Sequence, residues 1–260
     1  MKREIKGMRT IITGASSGIG RALAIEMARH GARLVVTARR EERLAELVAS
    51  IRETGGEVHA VTGDITSDQL RQKLIETATT QYGGLDILVN NAGAGVEGLF
   101  EDADPARART VMELNYFAPI ELIRLALPQL REGNRPMIVN VSSIVGLRAT
   151  PYYSEYVASK FAIQGFGDSL RAELSKYPID VLAVCPGTTK TEFFDVVIEH
   201  TGKPNWPEHK PVTPEAVARA TVRAMRKGRH TIVPYTWGKV LWWLNRFSPG
   251  LVDRIMKKYV

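Results

Sequence analysis

A single cysteine, Cys185, stands among 260 residues, so no disulfide can close within the chain, and the expected compartment is reducing, the cytoplasm. No apolar run approaches the ~18 residues of a membrane-spanning helix. Met1 to Arg9 is too charged, and the apolar run after it too short, to read as a secretion signal. The five histidines, His30, His59, His200, His209 and His230, lack the spacing of metal ligands, so no metal is expected. Repeats, low-complexity tracts and linkers are also missing, which favours one domain over residues 1–260.

Acidic residues are scarce only at one end. The net charge is +7, yet residues 201–260 hold 12 Lys/Arg against 3 Asp/Glu, leaving the first 200 residues near neutrality. A nucleic-acid protein with a basic face throughout is therefore excluded, and the partner question falls on the C-terminus.

Short β-branched runs recur at Arg9–Thr13, Arg33–Ala38, Val58–Gly63, Asp86–Asn90, Met137–Ser142, Ile179–Val184 and Thr231–Tyr235. Amphipathic segments separate them: Ile19–His30, Glu41–Glu53, Ser67–Tyr82, Pro105–Arg131, Ser154–Lys176 and Pro214–Lys227. Continuous apolar strands alternating with helices predict a doubly wound α/β domain, a parallel sheet covered on both faces. Ligands of such sheets lie beyond the carboxyl ends of the strands.

The unusual residues fall on those loops. Thr13-Gly14-Ala15-Ser16-Ser17-Gly18-Ile19-Gly20 follows the first run and opens a helix, where glycines admit a pyrophosphate and free N–H groups meet it. The second run ends in Ala38-Arg39-Arg40, with no acid to accept from ribose hydroxyls; the two guanidinium groups suit a 2′-phosphate instead, pointing to NADP(H). Their plainer role is to solvate the start of the next helix. Asp64, before Ile65, can accept from an adenine amino group or cap the helix that begins near Ser67. The small residues from Ala92 to Gly95 would let a ribose lie close to backbone. Pro151 to Lys160 crowds in Tyr152, Tyr153 and Tyr156, and only Tyr156 has a lysine, Lys160, one helical turn further on. An ammonium beside a phenol pulls its pKa down toward the working range; a surface Tyr/Lys pair is the alternative.

Taken together, Thr13-Gly14-x-x-x-Gly18-x-Gly20, Asn90-Asn91-Ala92-Gly93, Asn115, Ser143, Tyr156-x-x-x-Lys160 and Pro186-Gly187 resemble the short-chain dehydrogenase/reductase family over nearly the whole chain. The resemblance implies a Rossmann-type sheet of about seven strands, a nicotinamide cofactor and a homodimer or homotetramer. It implies that Tyr156 is the general acid/base, that Lys160 lowers its pKa and holds the nicotinamide ribose, that Ser143 binds the substrate oxygen and that Asn115 fixes a water linked to Lys160. Ser142 would face away. The cofactor set implied is Gly14, Ser16, Ser17, Gly18, Ile19, Gly20, Arg39, Arg40, Asp64, Ile65, Asn91, Ala92, Gly93, Tyr156, Lys160, Pro186, Gly187, Thr189 and Thr191. The family often has an aliphatic residue where Thr189 stands.

Residues 191–213 match the family's substrate lid, and Phe193, Phe194, Val196, Val197, Ile198 and Trp206 there favour an apolar ketone or aldehyde. Ser143, Tyr153 and Phe193 are the expected substrate contacts. A β-ketoacyl thioester or keto-lipid is the alternative substrate, and a non-catalytic NADP(H) sensor the alternative class. Residues 238–260 form a basic extension in which Trp242, Trp243, Leu251, Val252, Ile255, Met256, Tyr259 and Val260 accompany Arg254, Lys257 and Lys258. Such a segment packs over the pocket or on a sister subunit, or makes peripheral membrane contact through 240–260.

Overall fold

The computed structural model describes residues 3–194, 197–198 and 210–259, without the side chain of Phe194. Met1, Val196, His200, Trp206, His209 and Val260, named above, lie outside the described residues, as does the Phe194 side chain. Seven strands form one parallel sheet: β1 (Arg9–Thr13), β2 (Arg33–Ala38), β3 (Glu57–Thr62), β4 (Ile87–Asn90), β5 (Met137–Val141), β6 (Asp180–Val184) and β7 (Thr231–Ile232). Their spatial order is β3-β2-β1-β4-β5-β6-β7, so chain direction across the sheet reverses between β1 and β4. Ligands of doubly wound sheets gather at this crevice.

The strands are apolar on both faces because both faces are covered. Ile12, Leu34, Val36, Val89, Val139 and Leu182 pack on one side with α1 (Gly18–Arg29), α2 (Glu41–Glu53) and α7 (Pro214–Arg226). Their neighbours Ile11, Val35, Leu88, Ile138 and Val181 point the other way, as period-two geometry requires, onto α3 (Asp68–Tyr82), α5 (Ala118–Arg131) and α6 (Ser154–Glu173).

Two expected elements differ. The segment Pro105–Arg131 is not one helix: α4 (Ala106–Met112) passes through a π turn, Glu113–Phe117, into α5. Pro119 lacks the N–H that would bond the Asn115 carbonyl, and its ring crowds that carbonyl, so the ladder widens there. β7 stops at Ile232 rather than Tyr235 because Pro234 has no N–H to continue pairing with β6.

The C-terminal extension folds as α8 (Thr236–Phe247) and α9 (Pro249–Met256). Its inner side docks: Trp242 packs near Ile144, Leu147 and Val233, Val252 is buried, and Arg148 reaches Asp253 at 2.6 Å. Trp237, Val240, Trp243, Phe247 and Leu251 stay exposed on the other side.

At the start of α6, Glu155 is gripped by Arg107 of α4 through two nitrogens at 2.8–3.0 Å, and both residues are buried. Such a fork satisfies both charges only as a pair. Arg107→Ala should therefore cost about 3–5 kcal/mol in denaturant unfolding. Arg107→Leu combined with Glu155→Leu should recover most of that loss, because no lone charge remains buried.

Candidate active site

The turn after β1 is held from β4. Thr13 Oγ1 accepts the backbone N–H groups of Asn91 and Ala92, both at 3.0 Å, while Asn91 Nδ2 donates to the carbonyls of Thr13 (3.0 Å) and Gly14 (3.1 Å). Gly20 makes this fit possible, since a Cβ there would lie 2.2 Å from the Gly14 carbonyl oxygen. Gly14 has φ +66°, in the left-handed region open to glycine. Asn91 thus holds the turn's backbone from the β4 loop.

The turn fits a dinucleotide phosphate. No acidic residue occupies the first turn of α1 and no side chain caps it, so its N–H donors are left for an anion. Ser16 and Ser17 stand at its rim, and Ile19 packs into the core behind it. Arg40 folds over the rim, donating to Ser17 Oγ at 2.7 Å and to Ser16 Oγ at 3.2–3.3 Å. Arg39 is exposed and makes no hydrogen bond or ion pair among the described residues. Asp64 accepts from the backbone N–H and the hydroxyl of Thr66, both at 2.9 Å, and Ser67 caps α3 itself. Ile65 is buried, with its carbonyl held by Arg71.

The second half of the site gathers between β4, β5 and β6. The loop after β5 presents Ser143, and α6 carries Tyr156 and Lys160 on one face. Ser143 stands beside the Tyr156 phenol, lowering its pKa, and its Oγ accepts the Val145 N–H at 3.3 Å. Ser142 turns away, as expected, donating to the Lys160 carbonyl at 3.1 Å. Lys160 Nζ lies 5.6 Å from the Tyr156 ring centre and donates to the Val141 carbonyl at 3.1 Å. Gly93 keeps this corner open, because a Cβ there would meet Asn115 Oδ1 at 2.9 Å and Lys160 Nζ at 3.5 Å.

Burial governs both ionisable groups. It pushes the Tyr156 phenol above its ordinary value, with the Ser143 hydrogen bond pulling part of the way back. It pushes the Lys160 ammonium down to about 8. Beside the expected lowering of Tyr156 by Lys160, burial is the largest influence on each group, and both shift toward neutrality. Asn115 differs too. Its side-chain amide is committed to both backbone polar groups of Ala94, at 2.9 and 3.0 Å, and to Ser159 Oγ at 3.0 Å. The π turn sets that orientation.

Pro186 and Gly187 follow β6, and the Pro186 carbonyl accepts the Ile144 N–H at 2.8 Å, joining this loop to the Ser143 loop. The Tyr235 ring lies close against Gly187, where a Cβ would come within 2.3 Å of it. Thr189 is buried with its hydroxyl on the Gly187 carbonyl, and Thr191 approaches Gly18 across the first turn. Phe193 lies tilted by 54° against the Tyr156 ring, with centres 5.5 Å apart, and closes over Gly95.

Several neighbours were not foreseen. Tyr153 donates to Glu97 at 2.8 Å, and Glu97 is buried; burial, with this carboxylate second, raises the Tyr153 pKa. An acid within the small-residue stretch Ala92–Gly98 was the available signal. Tyr152 holds φ +69°, rare for a residue with a Cβ, and its carbonyl accepts the Gly98 N–H. Glu192 and Arg43 meet beside Arg40, a contact between distant parts of the chain with no local sequence mark.

A family model for short chain dehydrogenases matches residues 9–201. The 11-beta-hydroxysteroid dehydrogenase A of Sesamum indicum is 34% identical, the match covering 98% of this chain and 76% of that protein. Ketoacyl reductase HetN of Nostoc is 29% identical over 97% of this chain and 89% of its own length. A short chain dehydrogenase/reductase from Burkholderia phymatum, solved in complex with NAD, superposes with a TM-score of 0.87 at 26% identity and covers 96% of each chain.

Lys160 provides a test of the site's dryness. Its folded pKa of about 8 lies below the ordinary 10.5, so between those values the unfolded chain binds the extra proton and stability rises with pH. Chemical denaturation from pH 8 to 10 should show wild type gaining about 2 kcal/mol relative to Lys160→Met. Parallel pH profiles for the two proteins would mean that the ammonium stays hydrated.

Proposed function

The chain belongs to the short-chain dehydrogenase family, and from that premise we propose that it is an NADP(H)-dependent oxidoreductase interconverting an apolar ketone or aldehyde with its alcohol. The observation that carries this reading is the Tyr156 hydroxyl, buried under Phe193 with Ser143 beside it and Lys160 one helical turn away. A bound nicotinamide supplies or accepts the hydride. The chain's own residues manage the oxygen. Ser143 donates to the substrate carbonyl, and Tyr156 gives its proton to the same oxygen as negative charge develops. The high resting pKa of the phenol keeps that proton in place until a basic alkoxide forms. Lys160 restores the proton and orients the ribose, and Asn115 fixes the loop at Ala94 against which the ribose rests. Phe193 and Tyr153 bound the substrate, with Thr189 and Thr191 toward the carboxamide and phosphates.

Support for NADP(H) comes from Ala38 in place of an acid and from Arg39 and Arg40 beside the first turn. The Burkholderia relative was solved with NAD, so this point rests on Ala38 and the two arginines. A ketoacyl thioester, as the name of the Nostoc relative suggests, or a keto-lipid such as a steroid is the alternative substrate; a cofactor sensor is the reading of another class. With NADPH and a panel of aldehydes, ketones and ketoacyl thioesters, Tyr156→Phe should lose at least about a hundredfold in kcat while binding cofactor like wild type. Turnover retained in that variant would assign the proton to another group.

The reading extends to the surroundings: a homodimer or homotetramer in the cytoplasm, in peripheral contact with lipid through α8 and α9. Phe117, Leu125 and Phe161, exposed on the α5–α6 side, support self-association. Trp237, Trp243 and Phe247 support lipid contact, since Trp243 and Phe247 stack at 5.7 Å on the outward side with Lys239, Arg246 and Arg254 on the same two helices. Aromatic rings settle at headgroup depth, and each nearby cation adds about 1 kcal/mol on anionic lipid. Binding to phosphatidylserine vesicles should fall with salt and drop at least about tenfold in Trp243→Ser/Phe247→Ser. Unchanged sedimentation, with a smaller oligomer, would assign this side to a sister subunit.

A further inference from the structure

The loop after β6 does something at the first turn that neither the fold nor the reaction requires. Glu192 extends its carboxylate to the start of α2, where Oε2 accepts from Arg40 at 2.8 Å and Oε1 from Arg43 at 2.5 Å. Arg40 spends its other nitrogens on Ser16 and Ser17. Thr191, the residue before, rests against Gly18. One carboxylate with an oxygen on each of two guanidinium groups, beside the serines of a phosphate-binding turn, is the arrangement an incoming phosphate would itself adopt.

Resting on the NADP(H) reading, we infer that Glu192 is an internal anion occupying the 2′-phosphate subsite, and that its attachment to Arg40 and Arg43 competes with the cofactor's phosphate. The same arginines cannot serve both anions, and two like charges on one pair of guanidinium groups repel. Glu192 is well suited to be displaced. It is half exposed, as are both arginines, so these pairs are screened and individually weak. The two arginines hold its carboxyl below the usual range, so it is fully ionised near neutrality. The acidic first turn of α2, with Glu41 and Glu42, adds no competing grip on the cluster, because neither residue bonds Arg40 or Arg43. Glu192 thereby sets how strongly the chain discriminates between cofactors with and without a 2′-phosphate. It lowers the affinity for the phosphorylated one and leaves the other untouched.

The alternative is that Glu192 stays in place and buttresses the arginines for the phosphate, and the two roles predict opposite signs. Calorimetric titration of 2′,5′-ADP and 5′-AMP into wild type, Glu192→Gln and Glu192→Gln/Arg40→Ala decides between them. Competition predicts that Glu192→Gln binds 2′,5′-ADP about three- to tenfold more tightly than wild type, with 5′-AMP changed less than about twofold. The gain should vanish in the double variant. Weaker or unchanged 2′,5′-ADP binding in Glu192→Gln, or a gain that survives loss of Arg40, overturns the inference. Failure of the NADP(H) reading looks different: wild type would bind 2′,5′-ADP no better than 5′-AMP. A gain in Glu192→Gln would still support the competition in that case, and its absence would refute it.

Discussion

The arrangement depends first on a clasp of five hydrogen bonds at the crevice between β1 and β4. The Thr13 hydroxyl accepts two N–H groups from the β4 loop and donates to the Val89 carbonyl, while the Asn91 amide bonds the Thr13 and Gly14 carbonyls. These groups sit where the sheet's chain direction reverses and the β1–β4 pairing ends at Ile12 and Val89, and unpaired backbone there would be costly. By meeting that demand the clasp fixes the turn before α1 relative to the loop that leads to Gly93 and Ala94. The anion cradle and the Lys160 corner are therefore two ends of one rigid piece.

On the other side of that piece, polar chemistry is held in an apolar wall. Val96, Val111, Val145 and Phe193 surround Tyr156, and the thiol of Cys185, pushed up to about 12 by its burial, stays neutral nearby. A phenol and an amine kept in such surroundings resist ionisation when charge brings no benefit. They respond strongly when charge appears on a substrate oxygen, because little water competes for it.

Much of this was legible. Strands buried on both faces leave unbroken apolar runs, so the order and type of the elements could be read from periodicity, and the family resemblance marked Gly14, Ser143, Tyr156 and Lys160. The π turn was hidden because an added residue in a helical ladder leaves the amphipathic pattern of Pro105–Arg131 almost unchanged; Pro119 was its one trace. The balance of burial against attraction at Tyr156 and Lys160 could not be read from a four-residue spacing, which gives proximity and says nothing of solvent. Glu192 and Arg40 stand 152 positions apart, and their meeting follows from how the loops converge over β1. Glu97 under Tyr153 is a similar product of tertiary convergence.

Helix α6 carries Tyr156, Lys160 and, one residue before Tyr156, the Glu155 anchor to α4. Placement errors within this set are correlated: a shift of the helix carries all three together and preserves their spacing. Ser143 sits on a separate loop, so any mismatch accumulates in the single gap between that loop and the helix. The tolerance of the whole assembly is set by one adjustable joint, and drift in sequence around residues 143–150 can reshape the gap facing Tyr156 without disturbing its spacing to Lys160.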